Sequence, residues 1–172
     1  NKITHSLNLP KSAKTIFFVP ENRLDTLRLS ISKWAPNQKF VDSVESLNKK
    51  NFIEHSAVST NSVTKLLVIK KGKHTLSNDL IVPKGWTFII EPGSEIDLTN
   101  NAAIVSYSSV CAAGTTSDQI FIHSSDSTGQ GLAVIDNYGN SLLRHVTFKN
   151  LNTLHKYGWY LTGAVTFYQS NV

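Results

Sequence analysis

A single cysteine, Cys111, in 172 residues excludes an intrachain disulfide framework. Its place in the apolar run SVCAAG reads as a small buried core residue. Arginine is scarce as well. Only Arg23, Arg28 and Arg144 occur, and the lysines are scattered, with short pairs at Lys49-Lys50 and Lys70-Lys71. A nucleic-acid binder more often carries a basic stripe with clustered arginine. The net charge of +5, from 17 basic and 12 acidic side chains, therefore implies weak attraction to anionic polymers and no nucleic-acid partner. No apolar run approaches the ~20 residues needed to cross a bilayer as a helix, so no membrane span is expected. The first residues do not form a signal peptide. The chain begins at Asn1 without methionine, which is compatible with a leader or upstream segment having been removed. Charged residues make up only 17% of the chain, against roughly 25% in an average domain. Ser, Thr and Asn are plentiful, which favours turns and strands over long helices. The length suits one hydrophobic core.

The first sixty residues differ in texture from the rest. In VPENRLDTLRLSISKWAP, Leu24, Leu27, Ile31 and Trp34 follow helical spacing, with Pro20 suited to a helix start and Pro36 closing the element. Leu27, Leu29 and Ile31 also alternate as in a strand. Phe40, Val44 and Leu47 then share a helical face, with Asn37 as N-cap. Residues 51–63 look like a polar connector. The expected division is a helical N-terminal segment and connector over 1–63, followed by a β-rich region over 64–172.

From Leu66 onward, short apolar runs alternate with polar or Gly/Pro turns: Val68-Ile69, Leu80 to Val82, Phe88 to Ile90, Ile104-Val105 and Ile120 to Ile122. Runs this short argue for strands. VIKKGK, IIEPGS and VCAAGT centre on Gly72, Gly93 and Gly114, two steps of 21 residues, and Val-Thr-Phe recurs at 146–148 and 165–167. A period near 20 built from short strands predicts a solenoid whose turns of chain stack on one another, and a parallel β-helix fits it. Alternation then turns Ile96, Leu98, Val146, Phe148, Val165 and Phe167 inward. Glu95, Asp97, His145, Thr147, Lys149, Thr166 and Tyr168 face out.

The segment GKHTLSNDLIVPKGWTFIIEPGSEIDLTNNAAIVSYSSVCAAGTTSDQIFIHSSD, through Val82-Pro83, Gly85, Ile90, Pro92-Gly93, Ile96, Gly114-Thr115, Ile120 and Ser124, resembles the opening turns of right-handed parallel β-helix proteins of the pectate-lyase-like superfold. NSLLRHVTFKN, with Leu143, Val146, Phe148 and Asn150, resembles a recurring turn of the same group. LTGAVTFYQSNV resembles the turn that follows it in large bacterial envelope or secreted proteins. The resemblance spans roughly residues 65–172. It implies a mainly β, right-handed single-stranded parallel β-helix and a secreted or cell-envelope setting. It implies no single activity, because the superfold hosts lyases, hydrolases, adhesins and inert surface modules.

The acidic candidates begin with Glu91, Glu95 and Asp97 around a Pro-Gly turn. Glycosidases use two carboxylates ~5–10 Å apart, and Glu95 and Asp97 share a strand face at about 7 Å. Acids on an outer face also simply keep a protein soluble. Asp118, Asp126 and Asp136 sit beside turns, where Asp makes local hydrogen bonds. In lyases of the superfold, acids on one sheet bind calcium, which requires converging oxygen ligands, and Lys149 is the available partner to Arg144 for substrate carboxylates. His123, His145 and His155 lack zinc-type spacing, and no GxSxG elbow is present. The remaining group is aromatic: Tyr157, Trp159, Tyr160, Phe167 and Tyr168, beside His155 and Lys156. Such side chains fill cores, dominate protein interfaces or stack on sugars.

The expectation is a non-catalytic structural or interaction module that binds carbohydrate or a protein partner, without metal or cofactor. Its ligand candidates are Tyr157, Trp159, Tyr160 and Tyr168. The alternative is a polysaccharide lyase or glycoside hydrolase using Glu95, Asp97 or Asp126. The N-terminal helices, through Leu24, Leu27, Phe40 and Val44, are expected to cover the first turn. The apolar C-terminal end, around residues 163–172, is expected to self-associate or continue into a larger protein.

Overall fold

The computed structural model describes residues 14–19, 26–30 and 55–172. The chain divides into two compact units, residues 1–37 and 38–172. In the first unit, β1 (Thr15–Phe18) pairs antiparallel with β2 (Leu27–Ser30), Thr15 opposite Ser30 and Phe18 opposite Leu27. Strand alternation therefore prevails over helical spacing at 27–30. Pairing with β1 gives the backbone at 27–30 its hydrogen-bond partners without the nucleation cost that a helix must meet. The rest of the expected first helix, and the helix carrying Phe40, Val44 and Leu47, lie outside the described residues.

The second unit is mainly β, with no helix among the described residues. It opens with β3 (Val58–Asn61), which falls within the expected connector yet pairs antiparallel with β4 (Leu66–Ile69). From there the chain makes successive three-strand passes. The first is β4, β5 (Gly72–Leu76) and β6 (Leu80–Val82). The second is β7 (Thr87–Ile90), β8 (Ser94–Leu98) and β9 (Ile104–Ser106). The third is β10 (Val110–Ala113), β11 (Ile120–His123) and β12 (Leu132–Ile135). The last runs through β13 (Leu142–Arg144) and β14 (Val146–Lys149), then a small hairpin of β15 (His155–Lys156) and β16 (Trp159–Tyr160), and ends in β17 (Val165–Tyr168).

Three sheets result, ordered β13-β10-β7-β4-β3, β14-β11-β8-β5 and β17-β12-β9-β6. Every pairing in them is parallel except β3 with β4. A strand thus pairs with its counterpart one pass later. The side chains that alternate inward are Leu67, Ile69, Phe88, Ile90, Val110 and Ala112 in the first sheet, all at most 1% exposed. Leu76, Ile96, Leu98, Ile120 and Ile122 of the second sheet, and Leu80, Val82, Ile104, Leu132 and Val134 of the third, join them in one core. Each Val, Leu, Ile or Phe among them contributes ~1.5–3 kcal/mol by leaving water.

The register qualifies the 21-residue glycine series. Leu66 pairs with Thr87, Phe88 with Val110 and Cys111 with Leu142, so the spacing lengthens from 21 to 22 to 31 residues. Insertions in the corners absorb the difference, because only strand residues must keep register. Gly114 is a close-approach position: a Cβ there would lie 2.7 Å from the carbonyl oxygen of His145. The two Val-Thr-Phe segments fall on β14 and β17, which belong to different sheets and do not pair. Buried serines seal the corners. Ser94 Oγ donates to the carbonyls of Glu91 and Lys70, and Ser108 Oγ accepts from Trp86 N–H while donating to Pro83.

The third sheet is apolar on both sides. Its outer side chains Val105, Ala133 and Ile135 are covered by Leu154, Leu161, Tyr157 and Trp159 of the segment carrying β15 and β16. This hairpin turns at Tyr157 and Gly158, both with positive φ (56° and 79°), the two-residue turn whose twist suits a hairpin. Asp79 pins it. Its carboxylate accepts from Ala103 N–H at 2.9 Å, from Lys156 Nζ at 2.8 Å, and from the Tyr157 hydroxyl. At the other extreme, β13, β14 and β17 have no strand on their far edge among the described residues, and Leu143, Val146, Phe148 and Phe167 pack on the core from one side only.

Candidate functional site

The outer face of the second sheet carries two rows of side chains running across its strands. Lys73, Glu95, Phe121 and Thr147 form one row; Thr75, Asp97, His123 and Lys149 form the other. Parallel pairing sets neighbours within a row ~4.8 Å apart, and the strand rise sets the rows ~6.6 Å apart. Between them lies a shallow open groove of about 370 Å³ lined by Glu95, Phe121, His123, Thr147 and Lys149.

Glu95 pairs with Lys73 Nζ at 2.9 Å, and its other oxygen lies 3.4 Å from His123 Nε2. The Lys73 hydrogen bond, helped by His123, holds the Glu95 carboxyl below its usual range. Asp97 accepts from the N–H and hydroxyl of Ser125, at 2.8 and 2.7 Å, and stands 3.8 Å from His123 Nδ1. Both carboxylates are thereby oriented toward one imidazole. Phe121 is 42% exposed at an outward strand position, where the alternation rule leads one to expect a polar residue. Lys149 has no carboxylate within ion-pair distance among the described residues.

The other expected residues lie elsewhere. Glu91 is at the corner before β8 and accepts from Lys71 N–H. Asp126 is a turn clamp, accepting from the N–H groups of Asn100 and Thr128 and the hydroxyls of Thr128 and Ser124. Asp118 and Asp136 form ion pairs with Lys71 and Lys84. Asp118, Asp126 and Asp136 therefore do not converge. His145 is exposed at a corner, and His155 bonds Thr153 and lies 5.3 Å from the Tyr160 ring. Among the described residues no three His, Cys, Asp or Glu side chains gather as a metal site does. No helix among them is long and apolar enough to cross a membrane.

The aromatic group divides. Tyr157 and Trp159 pack on the third sheet, Trp159 also meeting Tyr168 at 5.3 Å and 58°. Tyr160 stands 80% exposed. Of the expected site residues, the structure brings Trp159 against Tyr168, and sets Glu95 and Asp97 together with Phe121, His123, Thr147 and Lys149 around them. No family model matches the chain, and no curated protein or solved structure matches it either. The groove therefore has to be read from its own chemistry.

Its electrostatics also bear on stability. Asp126 is held well below the usual carboxylate range, first by Asn100 N–H and then by Thr128 N–H, and Asp118 is lowered by Lys71. With folded values depressed, the unfolded chain binds more protons in acid. The stability from Asp126, Asp118 and Glu95 is therefore complete above about pH 5 and is lost as pH falls through the folded values. Tyr157 has the opposite sign: burial, then the Asp79 hydrogen bond, raise its pKa. Its contribution is intact below about pH 10 and is lost above it. Denaturation midpoints measured against pH are expected to plateau between these limits. Asp126→Asn is expected to flatten the acid slope, and Tyr157→Phe to remove one late phase of an ultraviolet tyrosine titration. An unchanged acid slope in the Asp126 variant contradicts the assignment.

Proposed function

We propose that the protein is a right-handed parallel β-helix module, of the pectate-lyase-like kind, that binds a polysaccharide on its outer wall without converting it. The observation that carries this reading is the groove on the second sheet, where half-exposed Phe121 lies among Glu95, His123, Thr147 and Lys149. A flat apolar ring bordered by hydrogen-bonding groups matches a sugar, which has an apolar face and a hydroxyl rim. The open shape suits a segment within a long chain as well as an end. Pairing of each strand with its counterpart one pass later supports the β-helix part of the reading. The edges of β13, β14 and β17, which have no further strand among the described residues, make self-association through that end part of the same reading. Sedimentation over a range of concentrations reads this directly, and a single monomeric species throughout ends that part.

A second reading has one observation in its favour. Glu95 and Asp97 flank His123, at 3.4 and 3.8 Å, and two acids two residues apart on one strand face stand about 7 Å apart, within the span over which glycosidases place their carboxylates (~5–10 Å). One experiment separates the two. Neutral and acidic polysaccharides are incubated with the protein, and binding is followed together with reducing ends and unsaturated products. Retention of the protein on a polysaccharide with no product is the expected result. Product that disappears in Glu95→Gln establishes an enzyme instead.

A further inference from the structure

We infer that residues 153–163, with the β15–β16 hairpin at their centre, form a strap that opens and closes as a unit over the third sheet. Asp79 latches it shut, and the buried hydroxyl of Tyr107 keeps the closure weak. The strap lies away from the groove of the second sheet and requires nothing of the binding reading above.

The connection from the second sheet to the third lengthens from 3 residues (77–79) to 5 (99–103) and 8 (124–131), then to 15 (150–164) in the last pass. The excess folds back over the third sheet without adding a strand to it, since β15 and β16 form a sheet of their own. Its ends are anchored where Asn152 N–H donates to the Gly129 carbonyl at 2.7 Å and Leu132 N–H to the Ala164 carbonyl at 2.9 Å. Between these anchors, Leu161 N–H donates to the Leu154 carbonyl at 3.0 Å, within the strap itself. Lifting the strap therefore breaks no ladder of the parallel sheets. What it uncovers is apolar. Val105, Ala133 and Ile135 point outward yet are at most 2% exposed, because Leu154 and Leu161 lie on them. The strap's own outer side carries exposed His155, Tyr160 and Thr162. Closed, this wall offers hydrogen-bonding side chains; open, it offers an aliphatic strip.

Two tyrosines act on the closure in opposite directions. Tyr157 belongs to the latch: its hydroxyl and Lys156 Nζ both donate to the Asp79 carboxylate. Lys156 also donates to the Asn101 carbonyl, and Gln130 Oε1 accepts from His155 N–H at 2.9 Å. Tyr107 packs against the same apolar cluster from the sheet side, and its hydroxyl is buried with no hydrogen-bond partner among the described residues. Burial raises its pKa, and the Trp159 indole of the strap offsets this only in part. A hydroxyl that regains water when the strap lifts is penalised in the closed state alone. Apolar burial and the latch favour closure, whereas the entropy of the strap and the Tyr107 hydroxyl oppose it. A unit with so few backbone bonds to its surroundings opens well below global unfolding.

The test is native-state hydrogen exchange on the intact protein, read by peptide mass spectrometry, with fluorescence of the dye ANS reporting exposed apolar surface. Amides of 153–163 are expected to exchange together, at least about a hundredfold faster than those of β7, β8 and β12. Tyr107→Phe removes only the unpaired hydroxyl and is expected to slow this exchange about tenfold. Tyr157→Phe removes a latch bond and is expected to speed it at least about tenfold, with a rise in ANS fluorescence that Tyr107→Phe does not show. Both variants are expected to leave the sheet amides unchanged, which separates an opening strap from a general loss of stability. Exchange of 153–163 only together with the sheets overturns the proposal. A Tyr107→Phe variant that opens as readily as the unaltered protein overturns it equally.

Discussion

Phe88→Ala is expected to lower the free energy of unfolding by about 3–5 kcal/mol, the range for deleting a fully buried phenylalanine. Phe88 has no exposed surface and sits in the middle of the first sheet, paired in register with Leu67 on one side and Val110 on the other. Its strand is hydrogen-bonded along both edges, so the neighbouring backbones resist moving in to fill the space. The cavity therefore persists, which places the cost toward the upper end of the range. Since a domain's total stability is roughly 5–15 kcal/mol, this one change consumes a large share of it. Equilibrium urea denaturation measures the loss, with the slope unchanged if the native state stays compact. A loss below about 1 kcal/mol contradicts a filled interior at this position.

The second large effect is expected at Asp79. Among the described residues its carboxylate accepts from the Ala103 amide of the second pass and from the side chains of Lys156 and Tyr157 on the hairpin, two separate parts of the chain. The side chain is 12% exposed. Asp79→Ala removes the acceptor and leaves the other groups partly buried without it, at a cost of about 3 kcal/mol. That is the low end for breaking a buried pair, because Lys156 keeps its bond to the Asn101 carbonyl and some solvent. The loss is expected to be local first. The hairpin, with Leu154 and Leu161, lifts from Val105, Ala133 and Ile135, so amide exchange and protease cleavage rise at 150–163 before the parallel sheets open. Tyr157→Phe removes only the hydroxyl and is expected to cost about 1.5–3 kcal/mol, typical of a hydrogen bond to a charged group. Uniform loss of protection across all three sheets in the Asp79 variant contradicts a local clamp.

The parts of the fold that were legible in the sequence were those set by alternation. Ile96 and Leu98 point inward and Glu95 and Asp97 outward, and His145, Thr147 and Lys149 are exposed, as their places predict. A strand's two faces follow from its own residues. Pairing partners do not, which is why the 21-residue glycine spacing misjudged the later passes. Val58–Asn61 looked like connector because a short strand of polar residues carries no apolar signal, and β4 supplies the hydrogen bonds that make it one.

The groove was half legible. The acids stood out as a cluster and Lys149 entered beside Arg144 through the resemblance, whereas His123 lacked zinc-type spacing and Thr147 read as an ordinary outward position. Phe121 did carry a signal, an aromatic residue at an outward position of IFIH, and the structure gives that signal its meaning. Tyr157 and Trp159 read equally as core packing, interface or sugar contacts, because sequence does not distinguish an exposed aromatic from one lying over a neighbouring sheet; the structure packs both against the third sheet.

The amino-acid order thus sets local matters: short strands, their inward and outward faces, and the absence of a disulfide. It also places Glu95 and Asp97 on one face. Tertiary structure supplies what depends on pairing between residues 20 to 80 positions apart, as when Glu95, Phe121 and Thr147 line up in one row or Asp79 reaches Tyr157. The physical reason is that side-chain direction follows from the local backbone, while register follows from hydrogen bonds and packing summed over whole sheets.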